Sequence, residues 1–311
     1  MNEKVAVIVP VKGIPYYFVK CVASLLKLDY PDYEVIIIDD GLNPGILKAL
    51  ENFKNRIRIL KSDCRGPSFA RNLAARSTDA RLIAFTDSDC IVDRFWLKEL
   101  VKALNQFPDA ASCGGIQKIP ADATKFQKHV FAALEKSEAV SEYIRKGNKD
   151  DQIIEVKHNA SCNVIYKRDV FLKEGGFFEG LWPGEDVEFD CRLKKKGYKL
   201  IFDPKALVYH YRPENLKKFI QMMYRYGWAQ AVLVRRYGFF RIIQFVPFLA
   251  FLIVFFLVLY FEPVKILILP VLLFLLFYLK PSGLLLGGLG FIAWNAGFLK
   301  GLISFSIDGH V

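Results

Sequence analysis

The sequence predicts an α/β protein: one domain on a mostly parallel sheet, followed by interfacial helices and about three transmembrane helices. Two patterns carry that expectation. Up to about His210, runs of β-branched residues alternate with stretches whose apolar residues recur at helical spacing. Beyond Arg241 charge almost disappears, and three apolar runs follow one another.

Val5–Val11 is a continuous β-branched run, read as a buried parallel strand whose pairing Pro10 ends. Tyr16–Leu28 is helical, with Phe18, Val22, Leu25 and Leu26 on one face. Glu34–Ile38 is a second buried strand that runs into Asp39-Asp40-Gly41. Strand, helix and strand in succession form a βαβ unit, which implies a right-handed crossover and a parallel sheet. Pro44–Phe53 reads as a helix and Arg56–Lys61 as the third strand. Gly66-Pro67 opens a helix over Ser68–Arg76, and Leu82–Phe85 is the fourth strand. Trp96–Asn105 is helical, and after Ala110–Gly115 the pattern turns irregular. Thr124–Tyr143 reads as a helix, Gly147–Asp151 as a polar loop and Ala160–Tyr166 as a strand. Asp169–Glu174 is a short helix before Gly175-Gly176, and Glu185–Lys196 is a helix stopped by Gly197. Lys199–Asp203 and Ala206–Tyr211 are short strands.

Residues 213–241 interleave Phe219, Met222, Tyr226 and Trp228 with Lys217, Lys218, Arg225 and Arg235. A helix there offers apolar and cationic faces, suited to lying on a membrane as one helix or a pair. An ordinary surface helix closing the domain fits its first half equally. The apolar runs are 242–261, 264–279 and 281–299. Pro270 leaves the second to span or to be re-entrant, and the glycines of the third suit close helix packing. Arg235, Arg236, Arg241 and Lys280 obey the positive-inside rule with the first domain cytoplasmic. No leader-like run precedes Val5, which points to the same side. The expected layout is a cytoplasmic domain over 1–212, juxtamembrane helices over 213–241 and a multi-pass region of the cell membrane over 242–305.

The net charge is +11, and its Lys and Arg residues crowd between Lys194 and Arg241, beside the apolar tail. That position favours membrane lipids with anionic headgroups over nucleic acid, for which no basic-aromatic or zinc-finger motif is present. Six cysteines without a Cys-x-x-Cys spacing read as free thiols in a reducing compartment.

The stretch Arg81–Cys90 begins as a buried strand and ends on Asp87 and Asp89. Carboxylates at the mouth of an apolar strand cost free energy unless something satisfies them. A divalent cation does so, beyond the carboxyl ends of the strands, where open α/β sheets take their ligands. Capping of the helix that begins near Asp93 is the plainer alternative.

The neighbours of that pair form a series: Val7–Gly13, Ile36–Gly41, Arg65–Asn72, Phe85–Asp89, Asn163–Asp169, Gly175–Phe177 and Gly184-Glu-Asp186. Their order resembles the family-2 glycosyltransferases, inverting enzymes with a Rossmann-like nucleotide-sugar domain of the GT-A type. The resemblance covers about residues 5–228. It implies a nucleotide-sugar donor with Mn2+ or Mg2+ on its diphosphate. Pro10 and Val11 would then offer backbone groups, and Asp39 or Asp40 would accept from base or ribose, although Asp-Gly is also a turn signal. Arg65 and Arg71 would hold base or phosphate, with a solvated helix residue as the alternative for Arg71. Asp87 and Ser88 would line the donor site, and Asp87 and Asp89 would hold the cation. His210 takes the place of a histidine that completes the metal site in some relatives, whereas His129, His158 and His310 have no comparable context.

Asp186 resembles the general base of the family, with Glu185 beside it; helix capping suits both acids as well. A phosphate acceptor is already anionic and needs no base. Asp186 therefore favours a hydroxyl on a lipid-linked or membrane-associated acceptor. Processive synthases of the family carry Gln-x-x-Arg-Trp, and Gln221–Tyr226 departs from it, so transfer of a single sugar is expected. A polyprenyl-phosphate glycosyl synthase, a processive polysaccharide synthase and a non-catalytic scaffold stay open as rivals. Specificity is expected within Gln117–Asn159.

Overall fold

The computed structural model describes residues 3–13, 16–135, 152–245 and 283–304, with positions 248, 249, 252 and 256. The chain divides into two compact units: Met1–Asp122 with Glu142–Tyr211, and Ala123–Ser141 with Arg212–Val311.

The first unit begins with β1 (Val5–Val11), α1 (Phe18–Leu25), β2 (Tyr33–Asp39), α2 (Gly45–Ala49), β3 (Arg58–Lys61), α3 (Pro67–Arg76) and β4 (Leu82–Thr86). Then come β5 (Cys90–Val92), α4 (Trp96–Gln106) and β6 (Ala110–Lys118). Helix α5 (Lys125–Glu135) belongs to the second unit. The first unit resumes with β7 (Ile154–Glu155), β8 (Asn163–Lys167), α6 (Arg168–Lys173), α7 (Glu185–Lys195) and β9 (Lys199–His210). Helices α8 (Leu216–Tyr237) and α9 (Gly283–Ser304) complete the second.

Nine strands form one sheet in the order β3-β2-β1-β4-β8-β6-β9-β5, with β7 also on β9. The β3-β2-β1-β4 half is parallel, as the βαβ pattern predicts. The other half corrects the expectation of a mostly parallel sheet. Strand β8 runs antiparallel to both β4 and β6, and β5 and β7 run antiparallel to β9. The sheet is mixed, because β8 reaches β4 from its far end rather than through a crossover helix.

Three strand expectations also change. Pro10 does not end β1: it stays in register with Ile38 on β2, while pairing with β4 stops at Ile8–Phe85. Proline is tolerated where no ladder partner needs its missing N–H. Ala110–Lys118, which looked irregular, is a full strand between β8 and β9. The two short strands after Lys199 are one, with a register slip opposite Gly115 and Ile116 that takes in Pro204.

Both faces of the sheet are covered, which is why β1 is apolar throughout. Val5, Val7 and Val9 face Phe18, Val22 and Leu25 of α1 and Trp96 and Leu100 of α4. Ala6 and Ile8 face the opposite layer, with Ala70, Phe85, Tyr166, Phe171, Phe177 and Phe189. In that layer Phe171 meets Phe189 edge-on at 4.9 Å and Phe177 at 5.1 Å between ring centroids.

In the second unit, 216–237 is a single helix rather than a pair. Asn215 caps it by accepting from the Lys218 N–H at 3.0 Å. Helix α9 lies directly on α8. A Cβ on Gly227 would fall 1.8 Å from the Trp294 carbonyl oxygen, and one on Gly297 would fall 1.9 Å from that of Tyr224. The glycines thus let two backbones touch, as expected for the third apolar run. Among the described residues, one helix is long and apolar enough to cross a membrane, Leu286–Ile303. The expected count of about three therefore stands at one. Most of the runs 242–261 and 264–279 lies outside the described residues, as do the loop 147–151 and the expected continuation of α5.

Candidate active site

Strands β1, β2 and β4 finish side by side. Register on β2 continues to Val11–Asp39, three residues past the last β1–β4 pair at Ile8–Phe85. The strand ends therefore diverge at the topological switch point, where such sheets take ligands.

The expected donor residues gather around this edge. The Val11 carbonyl accepts from the Asp40 N–H at 2.8 Å. Asp39 accepts from the N–H groups of Gly41 (3.0 Å) and Asn43 (2.9 Å), so turn chemistry accounts for its burial. Asp40 Oδ1 accepts from Ser62 Oγ (2.7 Å) and the Gly66 N–H (3.2 Å), tying β2 to the start of α3. Arg65 is exposed, stacks 3.7 Å from the Phe69 ring centroid and donates to Glu179. Ser88 is half-buried in the turn after β4.

Asp87, Asp89 and His210 converge. Their ligand atoms lie within 4.8 Å of one another. The local chain explains why. The Cys90 N–H closes a turn on the Asp87 carbonyl at 3.0 Å, and β5 pairs Cys90 with His210. The Tyr211 N–H then donates to the Asp89 carbonyl. Gln117 Oε1 sits 3.1 Å from His210 Nδ1 and holds that nitrogen as the donor. His210 Nε2 is left 3.3 Å from Asp89 Oδ1. Two carboxylates and one imidazole nitrogen, open to solvent on the Asp89 side, fit an oxygen-preferring divalent cation such as Mn2+ or Mg2+.

Arg71 is not a solvated helix residue: it is 2% exposed. Its Nη2 donates to Asp87 Oδ1 at 2.6 Å and its Nη1 to Glu185 Oε1 at 2.7 Å. Burial alone would weaken its hold on the proton, but Asp87 and Glu185 outweigh that and keep it charged. Gly184, at φ 100°, turns the chain into α7 and delivers Glu185 and Asp186 at its N-terminus. Glu185 is buried against Arg71 and Ser161 Oγ. Burial, reinforced by the Asp186 charge, pushes its carboxyl up to about 7. Asp186 keeps an exposed edge and accepts from the Ser161 N–H (2.9 Å) and the Val187 N–H (2.8 Å).

Behind Asp186 lies a buried network that the sequence did not disclose. His158 Nδ1 is 2.8 Å from Asp190 Oδ2, and its Nε2 is 4.0 Å from Asp186 Oδ2. Asp190 also accepts from the Asn159 N–H at 2.7 Å and from Tyr166 Oη at 2.9 Å. One signal existed: Asp190 follows Asp186 by four residues and shares its helix face. Nothing in the spacing marked His158.

Residues 6–175 match the sequence profile of glycosyl transferase family 2. The chain belongs to that family. An enzyme of Methanococcus voltae, dolichyl N-acetyl-alpha-D-glucosaminyl phosphate 3-beta-D-2,3-diacetamido-2,3-dideoxy-beta-D-glucuronosyltransferase, is 24% identical and covers 78% of both chains. The glucosyl-dolichyl phosphate glucuronosyltransferase of Haloferax volcanii is 23% identical over 72% of this chain and 74% of its own. In fold, the chain is similar to the mannosyltransferase PcManGT of Pyrobaculum calidifontis, solved in complex with GDP-Man and Mn2+. The TM-score is 0.69 at 16% identity, covering 98% of this chain and 89% of the other. The first unit is thus a GT-A-like mixed α/β domain, and the enzyme class is glycosyl transfer.

Proposed function

We propose that this chain is a membrane-associated, inverting glycosyltransferase that moves one sugar from a nucleotide-sugar to a hydroxyl of a lipid-linked acceptor. The observation that carries the reading is the convergence of Asp87, Asp89 and His210 beside Arg71, which leads through Glu185 to Asp186. The acceptor class rests on the names of the two dolichyl-phosphate relatives, and the donor class on the GDP-Man complex of the structural neighbour.

Asp87, Asp89 and His210 would hold the divalent cation, which supplies positive charge to the leaving diphosphate when bound. Pro10, Val11, Asp39 and Asp40 stand on the base and ribose side, Ser88 by the diphosphate, and Arg65 at the exposed rim. Asp186 takes the proton of the acceptor hydroxyl as it attacks. Two backbone N–H groups and the N-terminus of α7 hold its carboxylate in one orientation. Arg71 and Glu185 keep the donor end and the base at a fixed separation. Attachment through the apolar C-terminal helix, with the first unit cytoplasmic, supplies lipid-borne acceptors.

The test is donor turnover by the purified full chain in detergent, over UDP-, GDP- and dTDP-sugars with Mn2+, Mg2+ or EDTA. Slow release of one nucleoside diphosphate, lost with EDTA, is expected, and a lipid-linked sugar added as acceptor gains one residue. Product from lipid phosphate alone would identify a polyprenyl-phosphate glycosyl synthase instead, and a ladder of products would identify a processive enzyme.

A further inference from the structure

His210 belongs to two clusters. Its ring also lies against Cys90 and Cys162, and the three ligand atoms fall within 4.8 Å of one another. The cluster comes from three segments held in fixed register. Cys90 opens β5 opposite His210 on β9. Cys162 precedes β8, where its carbonyl accepts from Thr86 Oγ1 at 2.9 Å. The next residue, Asn163, is bonded to Trp96 Nε1 and to the carbonyls of Ile116 and Ala206. Both thiols are buried, and the imidazole is reached from the side of Asp89, which is 43% exposed.

Two sulfurs and one imidazole are the donor set of zinc and its congeners, and the set is too soft for Mg2+ or Mn2+. We propose that Cys90, Cys162 and His210 form a second metal site, selective for thiophilic divalent cations, that shares His210 with the Asp87–Asp89 site. With Nδ1 turned to Gln117, only Nε2 carries a lone pair. One imidazole lone pair serves one ion at a time, so the two cations exclude each other. Zn2+-class ions then act as competitive inhibitors of the cation that the proposed transfer reaction uses, and this consequence rests on that reading. Entry of the soft ion releases both thiol protons to solvent.

The experiment is titration of the full chain with Cd2+, read by its ultraviolet thiolate-to-metal charge-transfer band, with bound Mn2+ read in parallel by electron paramagnetic resonance. The expected result is one Cd2+ per chain, with the band lost in Cys162→Ala and in Cys90→Ser/Cys162→Ser. Retained Mn2+ binding in those variants shows that they fold. Mn2+ at about ten times its own Kd should raise the apparent Kd for Cd2+ about tenfold. A band that survives in the double variant would overturn the site. So would Cd2+ and Mn2+ binding together without competition. A cysteine-dependent band in a chain that binds no Mn2+ would support the thiol site and count against the Asp87–Asp89 reading alone.

Discussion

At the scale of single residues, Asp186 and Glu185 are neighbours with opposite surroundings. Asp186 keeps a solvent edge, and Asp186→Asn should lower kcat by about 10²–10⁴-fold while donor affinity stays nearly unchanged, as measured by steady-state kinetics and calorimetry. Glu185 is buried, and the native state keeps its proton up to about 7, whereas an ordinary glutamate releases it near 4.5. Its contribution to stability is therefore full below about pH 4.5 and is lost as pH rises through about 7. Denaturant titrations across that window should show stability falling with pH by at most about 3 kcal/mol, and Glu185→Gln should flatten the slope. Arg71→Met leaves Asp87 and Glu185 facing each other without a cation. It should cost about 3–5 kcal/mol of stability, read from the same titrations. The paired carboxylates at 87 and 89 were legible because acids seldom end an apolar strand. His210 was legible only through the resemblance. His158, Asp190 and Cys162 were not, because their proximity is made by β8, β9 and α7 meeting, and no local spacing encodes that.

At the scale of elements, β1 and β2 announced themselves as β-branched runs and β4 as an apolar one, all buried on both faces. Strand β6 did not, since Ala110-Ala-Ser-Cys-Gly-Gly has little β propensity. Its strand state comes from its neighbours: β8 and β9 flank it, and Cβ atoms at 114 and 115 would collide with Asn159 and Ala206. Small residues there are a packing requirement that reads locally as irregularity. The basic segment after Pro213 was half legible. Its amphipathic helix is present, but Phe219, Gly227, Ala231 and Leu233 are buried within the helical unit. Gly227→Leu or Gly297→Leu would drive a side chain into the facing backbone. Either should lower the thermal midpoint of the full chain in detergent, at a cost of about 1–3 kcal/mol or more. Asn215→Ala, which loses only the cap of α8, should cost about 1 kcal/mol in the same assay.

At the scale of the whole molecule, charge and apolar surface point to the same medium. The chain carries +11, and Phe291, Ile292, Leu299 and Ile303 are exposed on α9. Binding to vesicles containing anionic lipid should exceed binding to neutral vesicles, and the difference should shrink as salt shortens the Debye length, measured by flotation. The sequence reading draws the division as a line near residue 212. The structure draws it as an exchange: α5, from the middle of the chain, belongs with α8 and α9. The protein is therefore not severable by a single cut. A fragment stopped after Tyr211 in search of a soluble catalyst would keep α5 but lose the rest of the unit to which it belongs. A workable soluble version has to excise two pieces and rejoin the strand ends across the first, so engineering here is a matter of splicing rather than trimming.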